Sequence, residues 1–336
     1  MPSVVDEGEA YLGARALPYA RGWSVIVGAR VSNPEPHRRV RVVAPSSPFD
    51  RERLSRGVAR LTERGFVVDA PEDLVTGGHP YLAASDDERA ARLANALTSD
   101  VDIVWLARGG YGLTRIVDRL LDVPLVERAP LVVGFSDATA LLAVLFARGV
   151  PCVHGPLATT VADESEASLD HLVSLIDGGR GALGDHPLEV VDARGLTRVE
   201  GRAFAANLTV LTHLVGTRAL PPLDDTVLFL EDVGERPYRI DRMCTQLMAS
   251  GALDGVRAIV LGAFSGCEEP PSSSSRPPLS SREVLAERAR ACGVPLFAGF
   301  PFGHVSPNFA VPIGRRLRIS VDGHGARASL VDEATA

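Results

Sequence analysis

The feature that most constrains the fold is an alternation between residues 40 and 150, where short apolar runs are each followed by a stretch of helical spacing. Val40-Arg41-Val42-Val43-Ala44 reads as a buried strand closed by Pro45-Ser46-Ser47-Pro48. From Arg51 to Arg64 the apolar residues Leu54, Val58 and Leu61 recur at helical intervals, with Gly65 just past the end. The pattern repeats three times: Phe66-Val67-Val68 then Asp86 to Leu97, Val101 to Ala107 then a helix through Leu121, and Leu131 to Phe135 then Asp137 to Arg148. Apolar strands alternating with amphipathic helices predict a parallel sheet covered on both faces.

After about Pro156 the rhythm changes. Helical stretches at 168–176 and 207–215 lie among short strand candidates at 188–191, 227–231, 258–261 and 317–321. A chain of 336 residues, at ~150 per domain, has room for two cores. The expected fold is therefore α/β: a parallel-sheet domain with helices on both faces over 40–165, a linker over 166–198, and a smaller mixed α/β domain over 199–330. Residues 1–39 lack sustained periodicity and read as a peripheral extension or an over-called start. The Pro/Ser-rich stretch around 270–281 reads as an exposed loop with nothing to pack.

Composition removes several kinds of chemistry. All 35 Lys+Arg positions are Arg, so mechanisms that need a lysine amine are excluded, among them the P-loop, the pyridoxal Schiff base and the Ser-x-x-Lys acylases. The net charge is −7 and the arginines are dispersed, which sets nucleic acid aside as a partner. Four widely spaced cysteines form no C-x-x-C pair, so neither a disulfide framework nor a zinc knuckle is expected. No apolar run approaches a membrane span, and the first residues are acidic where a secretion signal would be basic. A cytoplasmic protein with no membrane partner is the expectation.

Two strand-to-helix crossings carry candidate chemistry. In Gly134-Phe135-Ser136-Asp137-Ala138 a serine sits on a sharp turn at the positive end of a helix, as in a nucleophile elbow, although Ala138 departs from the G-x-S-x-G form; the plain alternative is that Ser136 only caps the helix, which Ser followed by Asp commonly does. In Arg108-Gly109-Gly110-Tyr111-Gly112 the glycines free backbone N–H groups to face an anion or oxyanion, or merely make a tight turn. The spacing is not that of a dinucleotide fingerprint. Among eight histidines, His304 stands in a Gly/Pro-fixed loop and is a candidate base, whereas His79 and His154 read as structural and His213 as a core residue. A carboxylate to orient an imidazole could be Glu231 or Asp232 at the end of an apolar strand, and local grounds do not separate them.

Taken together these segments resemble the LD-carboxypeptidase family of serine peptidases, which also contains the microcin C self-immunity peptidases. The matching pieces stand in family order: Val43 to Pro48, Arg108 to Gly112, Gly134 to Asp137, His154-Gly155-Pro156, Asn207-Leu208-Thr209, Leu230 to Glu235, Pro237 to Arg242, and Gly303-His304. The resemblance implies Ser136 as nucleophile, Glu231 as carboxylate and His304 as base, with an oxyanion hole from the backbone N–H groups of Gly110 and Asp137. It further implies a site between two domains, commonly in a homodimer, with no metal or organic cofactor. The implied reaction is hydrolysis of the amide between an L-centre and a terminal D-amino acid, releasing D-Ala from a muropeptide tetrapeptide in peptidoglycan recycling.

Departures from the family pattern are the two alanines before Asn207, where Gly-Gly is common, and the absence of an identifiable reader of the substrate carboxylate. Two methyl groups there would tighten the cleft if the segment faced substrate. Arg108 and Asn207 are the weak candidates for substrate binding. The alternative functions are an immunity or detoxifying amidase acting on a peptidyl-nucleotide or other amide, an α/β-hydrolase esterase, and a catalytically idle binding module. The stretch 157–200 contains no Trp, Tyr or Phe, which weighs mildly against a nucleotide substrate.

Overall fold

The computed structural model describes residues 38–125, 129–179, 183, 186–269 and 279–331. Almost all of the expected extension at 1–39 and most of the Pro/Ser loop at 270–281 lie outside the described residues. The chain runs β1 (Arg38–Val43), α1 (Arg51–Glu63), β2 (Phe66–Asp69), α2 (Asp86–Thr98), β3 (Ile103–Leu106), α3 (Leu113–Leu120), β4 (Leu131–Gly134), α4 (Thr139–Ala147), β5 (Cys152–His154) and α5 (Glu166–Ile176). It continues with β6 (Glu189–Asp192), β7 (Arg198–Asn207), α6 (Leu208–His213), β8 (Thr226–Val233), α7 (Pro237–Ala249), β9 (Ala258–Ser265), α8 (Ser281–Cys292), β10 (Leu296–Ala298), β11 (Val311–Ile313), β12 (Arg316–Asp322) and β13 (Gly325–Leu330).

Two sheets result. The first has the order β11-β5-β4-β3-β1-β2 and is parallel except for β11, which returns late in the chain to pair antiparallel with β5. Pro312 in β11 is tolerated because the strand is at the edge. The second has the order β13-β12-β7-β8-β9-β10-β6, with a parallel centre of β7 to β10 and antiparallel flanks. The α/β fold class expected from the sequence is thus the one found, and β6 inside the expected linker is an edge strand of the second sheet. The ten-residue β7 was not anticipated, since Gly201 and three alanines give it little strand character of its own.

Helix α4 joins the halves. Its residues Thr139 to Phe146 are all buried, so the helix is apolar on every side and lies between layers, against β7 and α6 as well as its own sheet. Phe146 meets Phe204 of β7 with ring centroids 5.0 Å apart. At ~1.5–3 kcal/mol for each fully buried large apolar side chain, Leu141, Leu142, Leu145 and Phe146 make this helix a major source of cohesion between the two sheets. The residue that begins the turn into α4 is Ser136.

Candidate active site

Ser136 follows β4 and is not a helix cap. Phe135 occupies the capping position of the short 3-10 turn Ser136–Ala138, and no side-chain cap hydrogen bond is made there. Ser136 itself has φ +65°, the left-handed region that non-glycine residues rarely enter. That conformation costs on the order of 1–3 kcal/mol and persists only where the surroundings enforce it. It lifts the side chain off the sheet edge onto the neighbouring turn. A Cβ on Gly109 would lie 2.9 Å from Ser136 Cβ and 3.1 Å from its Oγ, so only glycine permits the approach. Gly110 has φ +93° and packs on Ser47, whose Oγ accepts from the Tyr111 N–H at 3.1 Å.

Beneath the serine the turn is clamped by a side chain that sequence reasoning valued only for its backbone. Asp137 is buried, and its Oδ2 accepts from Ser46 Oγ at 2.7 Å and from the Leu113 N–H at 2.8 Å. One carboxylate thereby ties together the loops after β1, β3 and β4. Burial raises the Asp137 pKa, opposed by these two hydrogen bonds and by the charge of Arg89. Arg89 of α2 is itself buried and donates to the carbonyls of Pro45 and Gly112 and to Asp86. Neither Ser46 nor Arg89 carried a sequence signal beyond a Pro-Ser turn and a helix position.

The other half of the site comes from the second sheet and the loop after β10. Glu231, fully buried in β8, receives His304 Nδ1 at 2.7 Å and the His304 backbone N–H at 3.2 Å on the same oxygen, Oε2. Asp232 points the other way, as alternation along a strand requires. It accepts from Asn207 Nδ2 at 3.1 Å, from the Thr209 N–H at 2.9 Å and from Thr209 Oγ1 at 2.8 Å. The structure therefore brings Glu231, and not Asp232, to the imidazole. Burial pushes the Glu231 carboxyl up, and the His304 hydrogen bond and charge oppose it. Burial also disfavours the His304 imidazolium, but Glu231 outweighs it and the His304 pKa lies above the ordinary histidine value of 6.5.

Close packing and a chain of hydrogen bonds fix the loop bearing His304, whose own carbonyl accepts from Ser265 Oγ at 2.7 Å. Gly303 has φ +98°, and a Cβ there would fall 2.5 Å from Glu231 Oε2. Its N–H donates to Asn308 Oδ1 at 2.9 Å, while the Asn308 N–H donates to Glu164 Oε2 at 2.8 Å. Ser168 Oγ completes the clamp, bonding Glu164 and the Asn308 carbonyl at 3.0 Å each. Glu164 stands just before α5, over 140 residues from the loop it holds, and nothing in its local sequence marked it.

The two halves meet at Phe135, whose ring centroid lies 4.9 Å from that of His304 and 5.7 Å from that of His154. His154 is fully buried between Phe135 and Phe302, and burial drives its pKa down to about 3, so it is a neutral packing residue. His213, read from the sequence as a core residue, is instead exposed at the end of α6. Ser136 makes no hydrogen bond to His304 among the described residues. Asn207, offered from the sequence as a substrate contact, is buried and occupied: its Oδ1 caps α6 at Val210 and its amide nitrogen serves Asp232. Ala205 and Ala206 are wholly buried in β7, so their methyl groups do not narrow any cleft. Arg108 lies at the mouth, donating to the Pro48 carbonyl. Among the described residues no group of three or more His, Cys, Asp or Glu is arranged to hold a metal.

Comparison with known proteins identifies the family. The LD-carboxypeptidase N-terminal domain profile matches residues 40–155 and the LD-carboxypeptidase C-terminal domain profile matches residues 200–319. The murein tetrapeptide carboxypeptidase of Pseudomonas aeruginosa is 33% identical, covering 82% of this chain and 91% of that protein. The microcin self-immunity protein of Escherichia coli is 25% identical, covering 83% of this chain and 88% of its own length. The solved muramoyltetrapeptide carboxypeptidase from Oxalobacter formigenes superimposes with a TM-score of 0.75 at 28% identity, covering 88% of this chain and 99% of that one. Fold and matches together define an enzyme of the peptidase class, built on two α/β layers. The chain belongs to the LD-carboxypeptidase family, as the motifs had indicated.

Proposed function

We propose that the protein is a serine LD-carboxypeptidase that releases D-Ala from muropeptide tetrapeptides. The observation that carries the reading is the pairing of a serine in left-handed backbone with a half-buried imidazole held on a buried carboxylate, across one phenylalanine ring. Because His304 Nδ1 faces Glu231, Nε2 is the nitrogen left for the serine. Ser136 Oγ attacks the carbonyl carbon between the L-centre and D-Ala, and His304 Nε2 takes its proton. The backbone N–H groups of Gly110 and Asp137 receive the oxyanion. The C–N bond then breaks as His304 gives the proton to the leaving amine. Water, deprotonated by His304, releases the acyl group and restores Ser136. Glu231 holds the imidazole in the required tautomer and stabilises the imidazolium. A serine–histidine bond that closes only with substrate is usual for such sites. The setting that goes with this reading is peptidoglycan recycling by a cytoplasmic homodimer.

Mass spectrometry of L-Ala-D-Glu-meso-diaminopimelate-D-Ala incubated with wild type and with Ser136→Ala tests the proposal. Loss of one D-Ala with wild type alone is expected. Intact peptide in both would remove the muropeptide assignment and favour another amide. Cleavage by both would remove Ser136 as nucleophile.

A further inference from the structure

Beside the Gly-rich turn lies an open cavity of about 310 Å³, lined by Ser47, Pro48, Phe49, Pro80, Tyr81 and Arg108. Clefts that hold small ligands begin at roughly this size. The cavity connects to the serine through Ser47 and the Gly-rich turn. Ser47 donates its N–H to the Gly109 carbonyl at 3.3 Å, its hydroxyl packs on Gly110, and Gly109 in turn lies under Ser136. A group bound here is thus one turn of backbone away from the proposed oxyanion hole.

The lining has one charge and four apolar or aromatic walls. Arg115 and Arg119 of α3 are paired with Asp86 and Asp87. Arg108 has no acidic partner among the described residues; one N–H is held by the Pro48 carbonyl, which fixes the guanidinium at the cavity edge with its other donors free for a ligand. A planar fork of donors fixed at one end is suited to grip a carboxylate. Tyr81 is half exposed at 49% and stacks edge-on with His79 at 4.3 Å, giving the cavity a firm apolar side.

We propose that this cavity is the subsite for the substrate's C-terminal residue, with Arg108 reading its free carboxylate and Tyr81, Pro48, Phe49 and Pro80 enclosing its apolar part. The inference rests on the carboxypeptidase reading, since an enzyme that removes only terminal residues must recognise the terminal carboxylate. It also explains how a chain without lysine supplies that recognition.

The test compares the tetrapeptide ending in D-Ala with the same peptide ending in D-alaninamide, on wild type, Arg108→Ala and Arg108→Lys. Wild type is expected to prefer the free acid. Arg108→Ala should raise KM for the free acid on the order of 10–100-fold, the scale of one lost charged hydrogen-bond pair, with kcat little changed. It should leave the amide peptide unaffected, so that the preference collapses. Arg108→Lys, which keeps a cation and a donor for Pro48, should restore part of it. If Arg108→Ala slows both peptides equally, or leaves the preference intact while wild type cuts the free acid, the subsite is overturned and the carboxypeptidase reading stands. If wild type cuts neither peptide, that reading fails and the subsite with it.

Discussion

The serine side and the histidine side of the site are built in opposite ways. Ser136 sits at the end of a central parallel strand, where the crossings after three neighbouring strands, β1, β3 and β4, converge on one buried carboxylate, Asp137. Its position is enforced by close backbone packing over Gly109 and by strain at φ +65°. His304 rides instead on a loop, oriented by Glu231 73 positions earlier and anchored through Asn308 to Glu164 144 positions earlier. The serine is held by rigid elements and the histidine by a relay of hydrogen bonds. Damage on the first side should therefore be all-or-none, and damage on the second graded.

The largest effect is expected for Ser136→Ala, which should lower kcat by about 10⁶ while leaving the fold intact, as removal of a triad nucleophile does elsewhere. A thermal melt should show equal or greater stability, because alanine loses nothing in contacts. If the variant keeps substantial activity, the serine side is not where chemistry occurs.

Glu231→Gln should lower kcat by roughly 10⁴ and also move the pH profile. His304 acts as a base only when neutral, so activity falls as pH drops through its pKa. Glu231 holds that pKa above 6.5, and removing the charge lets burial pull it down. The acid limb of kcat/KM should thus shift to lower pH in the variant. A limb that stays in place would show that the dyad does not control the profile.

Gly303→Ala places a methyl carbon against Glu231 Oε2 and forces alanine into φ +98°. A loss of about 1–3 kcal/mol in urea unfolding is expected, together with a clear fall in kcat. Smaller still is Glu164→Ala, expected to cost about 10-fold in kcat with little change in KM, because the loop loosens while the cleft remains. Glu164→Gln retains an oxygen to accept from the Asn308 N–H and should recover most of the rate. Failure of glutamine to rescue would make Glu164 a purely structural charge and sharpen the contrast into one of rigidity alone.

Much of the molecule is legible in its sequence. The first sheet, its helices and the Ser136 turn could be read because a buried parallel strand and an amphipathic helix each leave a local periodicity, and sharp crossings need glycine in the adjoining sequence. Strand β7 was not legible, because a run of alanines and a glycine becomes a strand only where β8 and β12 already flank it. The same holds for α7, whose proline at the first turn could be seen only as part of a motif. Residues whose role is to hold others left no trace: Glu164, Asn308 and Arg89 are typical of their segments and acquire meaning only through partners far along the chain.

The α/β class, the family and the residue types available for chemistry follow from the amino-acid sequence, because these depend on local pattern and on ordered motifs. What local sequence left open was resolved by the packing, which sets Glu231 and not Asp232 against His304, turns Asn207 and the two alanines into the interior, and places Arg108 at a cavity beside the Gly-rich turn. Adjacent residues on a strand face opposite ways, and which face meets the histidine is set by the docking of two sheets whose register no local stretch encodes.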